Sequence, residues 1–311
     1  MVENCSDLEG FLLFHSLGGG TGSGLGSLIL ENLVMEYGEQ TRINFSIYPG
    51  SKNAVSVVEP YNTILSMRSL IGSSDAVVVL DNEAVYEICQ NHLNIRRPTF
   101  TNLNRLISQV ISSMTASMRF NGDLNASLNE FKTNLVPTQN LHFMFPSYAP
   151  IIPKENNENS SDITNEVFGQ ANSIAKCDPR QGRCLAGTLM YRGDIVQEEV
   201  ISSFADLRAT HTFRINDWCP DEVKWGINAQ KALAFSNDDI WRVAKSACMI
   251  SNSTAIAGVF ARLNCKFELL YAKRAYIHWF VVEGMESDEF AEACESMAQI
   301  EQEYINAGVE A

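Results

Sequence analysis

The chain has 311 residues, 45% of them hydrophobic, and a formal net charge of −14. That length accommodates about two domains with sizeable cores. The negative charge excludes nucleic acid as an expected partner, because phosphates would be repelled rather than neutralised. No apolar run approaches the ~20 residues needed to span a bilayer. Met1-Val2-Glu3-Asn4 has neither a basic region nor an apolar signal core, which predicts a cytoplasmic protein without membrane contact. The cysteines at 5, 89, 177, 184, 219, 248, 265 and 294 form no C-x-x-C pair, which predicts buried, reduced thiols rather than a zinc site or a disulfide framework. The histidines at 15, 92, 142, 211 and 278 show no i, i+4 pairing with a ligand partner, so no metal held by protein side chains is expected.

Taken in order, Phe11-Leu12-Leu13-Phe14 predicts a buried strand. It feeds His15-Ser16-Leu17-Gly18-Gly19-Gly20-Thr21-Gly22-Ser23-Gly24, and Leu25 to Tyr37 has helical spacing, with Leu25, Leu28, Ile29 and Leu33 on one face. Strand, glycine loop and helix make an anion cradle. Glycines permit positive φ and carry no Cβ, so successive N–H groups can converge on phosphate oxygens at the positive helix end. Thr21 and Ser23 add hydroxyl donors in this reading. The same run is compatible with a glycine-rich turn that holds no ligand. A Walker loop is excluded because Leu25 follows Gly24 with no lysine nearby, and the glycine offsets do not fit G-x-G-x-x-G. Gly22-Ser23-Gly24 lies within the glycine run and forms no nucleophile elbow.

Strand-like Ile43 to Tyr48 and Ala76 to Leu80, with a helix from Pro60 to Leu70 between them, predict an α/β fold with a doubly wound parallel sheet. The strand-like runs end at Ser16, Tyr48 and Asn82, where ligands of such sheets sit. Arg96-Arg97-Pro98 marks a boundary. The spacing of Leu103, Leu106, Ile107, Val110, Ile111, Met114 and Met118 then predicts one long helix, stopped by Asn121-Gly122. Its start, with Phe100 and Asn104, can face the ligand, and its far end leads to the loop Asp123 to Asn129. Further strands are predicted at 141–145, 184–191, 212–215 and 247–250, with a polar loop from Lys154 to Ser161 and helices from Ala255 and from Ser287 to Ile305. The expected organisation is 1–97 nucleotide-binding, 98–121 central helix, 122–254 intermediate α+β domain and 255–311 C-terminal helices.

Gly-Gly-Gly-Thr-Gly-Ser-Gly after a strand resembles the signature loop of the tubulin and FtsZ GTPases. The resemblance continues through Val58-Glu59-Pro60-Tyr61-Asn62, Asp81-Asn82-Glu83-Ala84, Arg97 to Leu106, Asn134-Leu135-Val136-Pro137, Lys176-Cys177-Asp178-Pro179-Arg180 and Tyr271-Ala272-Lys273-Arg274-Ala275. In this comparison the chain is similar to an α-tubulin that lacks the family's first strands. The resemblance implies a GTP site in which Ser16, Gly19, Gly20, Thr21 and Gly22 hold the phosphates and Glu59 meets the ribose. It further implies that Asn82 and Asn104 bond the guanine edge, that Phe100 stacks on the base, and that Mg²⁺ rides on the phosphates. An asparagine offers both donor and acceptor to a base edge, and an aromatic face supplies stacking. Read without the resemblance, Asn82 is equally a turn residue and Phe100 a core aromatic.

The resemblance also implies that Glu130, acidic as in α-tubulin, orients the attacking water at the GTP of the adjacent subunit; the alternative is a solvated glutamate at a helix start. β-tubulin is the implied partner, motor or microtubule-associated proteins are implied at the acidic closing helix, and the cytoskeleton is the implied place. Three positions depart from the family pattern. Phe100 stands where tyrosine is common, Val55 where a threonine reaches the nucleotide, and Ser127 where α-tubulins carry aspartate. The polar loop at Lys154 to Ser161 is a few residues short, which puts lateral association in doubt, and the chain ends without a glutamate-rich tail. Lacking its first strands, the sheet would leave Phe11 to Phe14 as an open edge. A second function therefore stays open: a truncated remnant that binds no GTP and acts through surviving interfaces with tubulin.

Overall fold

The computed structural model describes residues 2–50, 54–120, 122, 127–152, 160–209, 214–215, 223–232 and 243–309. Strands β1 (Gly10–Ser16), β2 (Thr41–Tyr48) and β3 (Ala76–Asp81) alternate with helices α1 (Gly26–Glu36) and α2 (Glu59–Ser73), followed by α3 (Asn82–Asn91). The strands pair parallel in the order β1-β2-β3, and β4 (Phe143–Ala149) adds to β3 through Val77↔Phe143 and Val78↔Met144. β4 then pairs antiparallel with β8 (Lys245–Ser253), and β8 pairs antiparallel with β5 (Arg183–Gly193). The short β6 (Arg214–Ile215) and β7 (Lys224–Asn228) lie parallel to β5. The parallel and mixed parts are thus one continuous sheet, joined at β4.

Across β2, β3 and β4 both faces of the sheet are covered, and alternate strand residues point to opposite sides. Val77, Val79 and Phe143 face α1, α2, α9 (Ala257–Tyr271) and α11 (Glu289–Val309). Ile43, Phe45, Val78 and Met144 face α3, α4 (Phe100–Met114) and α6 (Leu128–Leu135). A third core joins β4, β5 and β8 to α7 (Ser160–Val167) and α8 (Gln197–Ala209) through Ile163, Val200, Leu189 and Met249.

Several elements differ from the sequence-based expectation. Phe11 to Phe14 do not form a buried strand: β1 is the edge strand of the sheet, and no described element covers its outer side, so Leu12 and Phe14 are 37% and 55% exposed, with Leu28 and Ile29 of α1 exposed beside it. The central helix is not one rod over 98–121: α4 ends at Met114, and a short α5 (Ala116–Arg119) follows. Thr115 leaves helical geometry at φ −90°, ψ 6°, its hydroxyl donates to Ile111 O, and the Arg119 guanidinium donates to Ser112 O. Ile111 O accepts from both the amide and the hydroxyl of Thr115, so side chains share the carbonyls of the last turn. Helices α6, α7, α8 and α10 (Ile277–Val282) and strand β7 lack a strong sequence signal and are set by packing. Cys5 and Cys265 are exposed rather than buried, whereas burial pushes the Cys177 and Cys248 thiols up to about 12. Cys219 and most of the predicted loops 123–129 and 154–161 lie outside the described residues.

The closing helix is locked to the sheet by a buried hydroxyl. The Tyr304 hydroxyl accepts from Phe143 N at 2.9 Å and donates to Phe143 O at 2.9 Å, with Asn252 Oδ1 at 3.3 Å. Replacing Tyr304 by Phe leaves both Phe143 backbone groups without a partner, so urea unfolding is expected to show a loss of about 1–3 kcal/mol. His142 gives a second test. Burial pushes its imidazole below the usual 6.5, against the opposing bond to Gln139 O. The folded chain then stays neutral at this site where the unfolded chain binds a proton. Its contribution is complete above about pH 6.5 and falls as pH drops, by up to about 1.4 kcal/mol per unit. The urea midpoint is expected to fall less steeply below pH 6.5 in His142→Gln than in the native chain.

Candidate nucleotide site

The parallel register aligns the carboxyl ends of the strands. Ser16 pairs with Ile47 and Tyr48 with Asp81, and Leu17 N donates to Ile47 O at 3.0 Å. The glycine loop after β1, the start of α2 and the start of α3 therefore share one rim. At a strand spacing of ~4.8 Å, Asn82 stands about 10 Å along that rim from the end of β1.

Helical geometry begins earlier than the predicted Leu25. Thr21–Leu25 form a π turn that runs directly into α1, with Gly20 as its N-cap at φ −60°, ψ −38°. Ser23 N donates to Gly19 O at 3.0 Å, so the amides of Gly20, Thr21 and Gly22 fall in the first turn, where helical carbonyls are out of reach. The glycines act through their missing Cβ and not through positive φ, which among described glycines occurs only at Gly193 and Gly284. A Cβ on Gly22 would sit 2.1 Å from Ser16 O, whereas one on Gly19 or Gly20 would meet nothing within 4 Å. The space over Gly19 and Gly20 is open, as a phosphate cradle requires. Ser23 is not a ligand donor: its buried hydroxyl donates to Gly19 O at 2.7 Å.

The remaining predicted residues are spread along the rim. Glu59 is buried, and its Oε1 accepts from Val55 N at 2.7 Å and Ser56 N at 3.1 Å, so this carboxylate braces the segment before α2. Gly18 packs on it, since a Cβ there would lie 3.1 Å from Glu59 Cγ. Asn82 opens α3, and the preceding Asp81 caps that helix by accepting from Glu83 N at 2.8 Å. Burial pushes the Asp81 carboxyl up, against the lowering effect of that bond. The Lys176 ammonium binds Glu83 Oε1 at 2.5 Å and Glu87 Oε1 at 3.0 Å, and the bond to Glu83 raises its pKa most. Phe100, 63% exposed, and Asn104, also exposed, lie one turn apart at the start of α4, which Thr99 and Asn102 close as a capping box. Ser16 is exposed at the end of β1.

Glu130 stands apart from this group. It is exposed in α6, where its carboxylate accepts from Ser127 N at 3.3 Å and Ser127 Oγ accepts from Glu130 N at 3.2 Å. Ser127 is thus the N-cap of α6. Helix α6 lies at the amino ends of β1 and β2: Thr41 Oγ1 donates to Asn129 Oδ1 at 3.0 Å, and a Cβ on Gly10 would meet Leu128 at 3.2 Å. The seven residues of β1 separate it from the glycine loop by ~20 Å.

Comparison with known proteins fits this geometry. Residues 1–90 match the model of the Tubulin/FtsZ family GTPase domain, and residues 139–265 match that of the Tubulin C-terminal domain. The whole chain aligns at 52% identity with the nucleomorph tubulin alpha chain of Guillardia theta, covering 70% of that protein's length. The chain belongs to the tubulin family. As an α-tubulin homologue it carries the family's glycine loop at the carboxyl end of β1, and Tyr61 and Ala275 from two distant family blocks meet through a 2.9 Å bond from Tyr61 Oη to Ala275 O.

Sequence reasoning missed two residues that hold the tubulin loop in place. Asn62 Nδ2 donates to Gly18 O at 2.9 Å, and His15 Nδ1 lies 2.8 Å from Gly22 O. His15 was legible from strand alternation, which puts it on the same inward stripe as Leu13. A cavity of about 1000 Å³ adjoins the loop between α1, α2 and the α10–α11 turn, and is lined by Gly20, Ser23, Asn62, Leu65, Phe280 and Met285 among others. It includes none of Glu59, Asn82, Phe100 or Asn104.

The two kinds of glycine separate by mutation. Gly22→Ala must displace the Ser16 carbonyl and is expected to cost about 1–3 kcal/mol. Gly19→Ala fills open space and is expected to stay within about 0.5 kcal/mol. Thermal unfolding of the two variants checks this.

Proposed function

We propose that this tubulin-family chain is a GTP-binding cytoskeletal subunit that pairs with β-tubulin. The observation that carries the reading is the open first turn after β1. Its amides fall where helical carbonyls are out of reach, and a Cβ on Gly19 or Gly20 would meet nothing within 4 Å, so the turn is open at the positive end of a helix. In this reading Ser16, Gly19, Gly20, Thr21 and Gly22 hold the phosphates. Asn82 and Asn104 bond the base edge, Phe100 stacks on the base, and Glu59 reaches the ribose through the oxygen not used by Val55 and Ser56. In the same reading Mg²⁺ rides on the nucleotide phosphates.

The same reading gives Glu130 a role between subunits. At ~20 Å from its own loop this carboxylate cannot serve the chain's own nucleotide. Loop and carboxylate lie at opposite ends of the same strands, so head-to-tail stacking with β-tubulin would bring the carboxylate of one subunit to the nucleotide of the next. There it would orient the attacking water.

Titration of the purified chain with Mg·GTP is expected to show saturable binding that Gly19→Ala weakens at least about tenfold while leaving the thermal transition in place. Absence of binding by the native chain would instead favour a remnant that acts only through tubulin contacts. Glu130→Gln preserves the capping box and removes the charge, so it is expected to slow phosphate release in co-assembly with β-tubulin by about a hundredfold. An unchanged rate would remove Glu130 from hydrolysis.

A further inference from the structure

We infer that His15 is the positioning residue that sets the shape of the nucleotide loop, by taking a carbonyl out of the helix that follows. In a regular helix Gly22 O would accept from Gly26 N. Here Gly26 N donates to Thr21 O and Ser23 O instead, and Gly22 O is bound by His15 Nδ1 at 2.8 Å. An inserted side chain that replaces one rung of the ladder forces the extra residue of a π turn. The π turn at Thr21–Leu25 is therefore the consequence of a side chain seven residues before Gly22, on the preceding strand.

Three further observations show that the chain is built around this contact. Gly26 leaves room for the ring, since a Cβ there would lie 3.1 Å from His15 Nδ1. Because Gly22 O only accepts, Nδ1 carries the proton, and Nε2 is left to accept from Ser46 Oγ at 3.2 Å. Burial holds the imidazole below its usual value, which keeps this neutral form at neutral pH. Without the imidazole donor, Gly26 N can return to Gly22 O and the turn rewinds as ordinary α-helix. Rewinding moves the amides of Gly20, Thr21 and Gly22 relative to the anchored Gly18, whose carbonyl Asn62 holds. His15 touches no ligand; it acts through the backbone that does.

The inference rests on the GTP-binding reading, and two variants test it in the full chain. His15→Phe keeps a ring of similar size and loses the donor, whereas His15→Asn places an amide donor near the position of Nδ1. Titration with Mg·GTP is expected to give at least tenfold weaker binding for His15→Phe and binding within about threefold of native for His15→Asn, with both variants showing cooperative thermal unfolding. Imidazole ¹⁵N spectra of the native chain are expected to show the Nδ1-protonated tautomer, and a structure of His15→Phe to show Gly26 N bonded to Gly22 O. Native affinity in a folded His15→Phe, or an Nε2-protonated ring, overturns the inference. A native chain that binds no GTP overturns the nucleotide reading, while the tautomer and the rewound turn still decide the part played by His15 in the loop.

Discussion

The in-register parallel pairing of β1, β2 and β3 is the constraint on which the site depends. Parallel strands bring every carboxyl end to one rim, so the glycine loop, the start of α2 and the start of α3 become neighbours although 66 positions separate Ser16 from Asn82 in the sequence. The burial of β2 and β3 makes that register costly to slip, because a shift by one residue would exchange the two faces. Val77 and Val79 would then meet α3 and α4, and Val78 would meet α2.

On this frame, the buried Leu17 anchors the loop in the core and polar contacts hold the rest. Asn62 fixes Gly18 O, Ser23 fixes Gly19 O, and His15 fixes Gly22 O, so three carbonyls of the loop are bound. Each contact ends on a main-chain carbonyl, which leaves the N–H groups as the available donors. That is the polarity an anion requires.

Glu130 and the glycine loop define the two ends of the parallel strands. The capping box with Ser127 holds the start of α6. The Ser127 hydroxyl accepts from Glu130 N, so a neutral side chain satisfies an amide of the first turn.

The parallel α/β character, the glycine loop and the family were legible in the sequence, because period-2 and period-3.6 patterns and glycine spacing are local properties of the chain. The strand Gly10–Ser16, the helix Glu59–Ser73 and the closing helix follow from those patterns within a few residues. The extension of helix α1 back to Thr21, the break at Thr115 and the weakly amphipathic α8 did not follow. Each depends on a partner the local sequence does not reveal, such as the His15 ring inserted from the neighbouring strand or the sheet face that α8 covers. By itself the sequence determined which residues can face inward and which backbone positions lack a Cβ. Only the tertiary structure decided which loop carbonyls are already bound, because hydrogen bonds between distant segments exist only once the strands are in register.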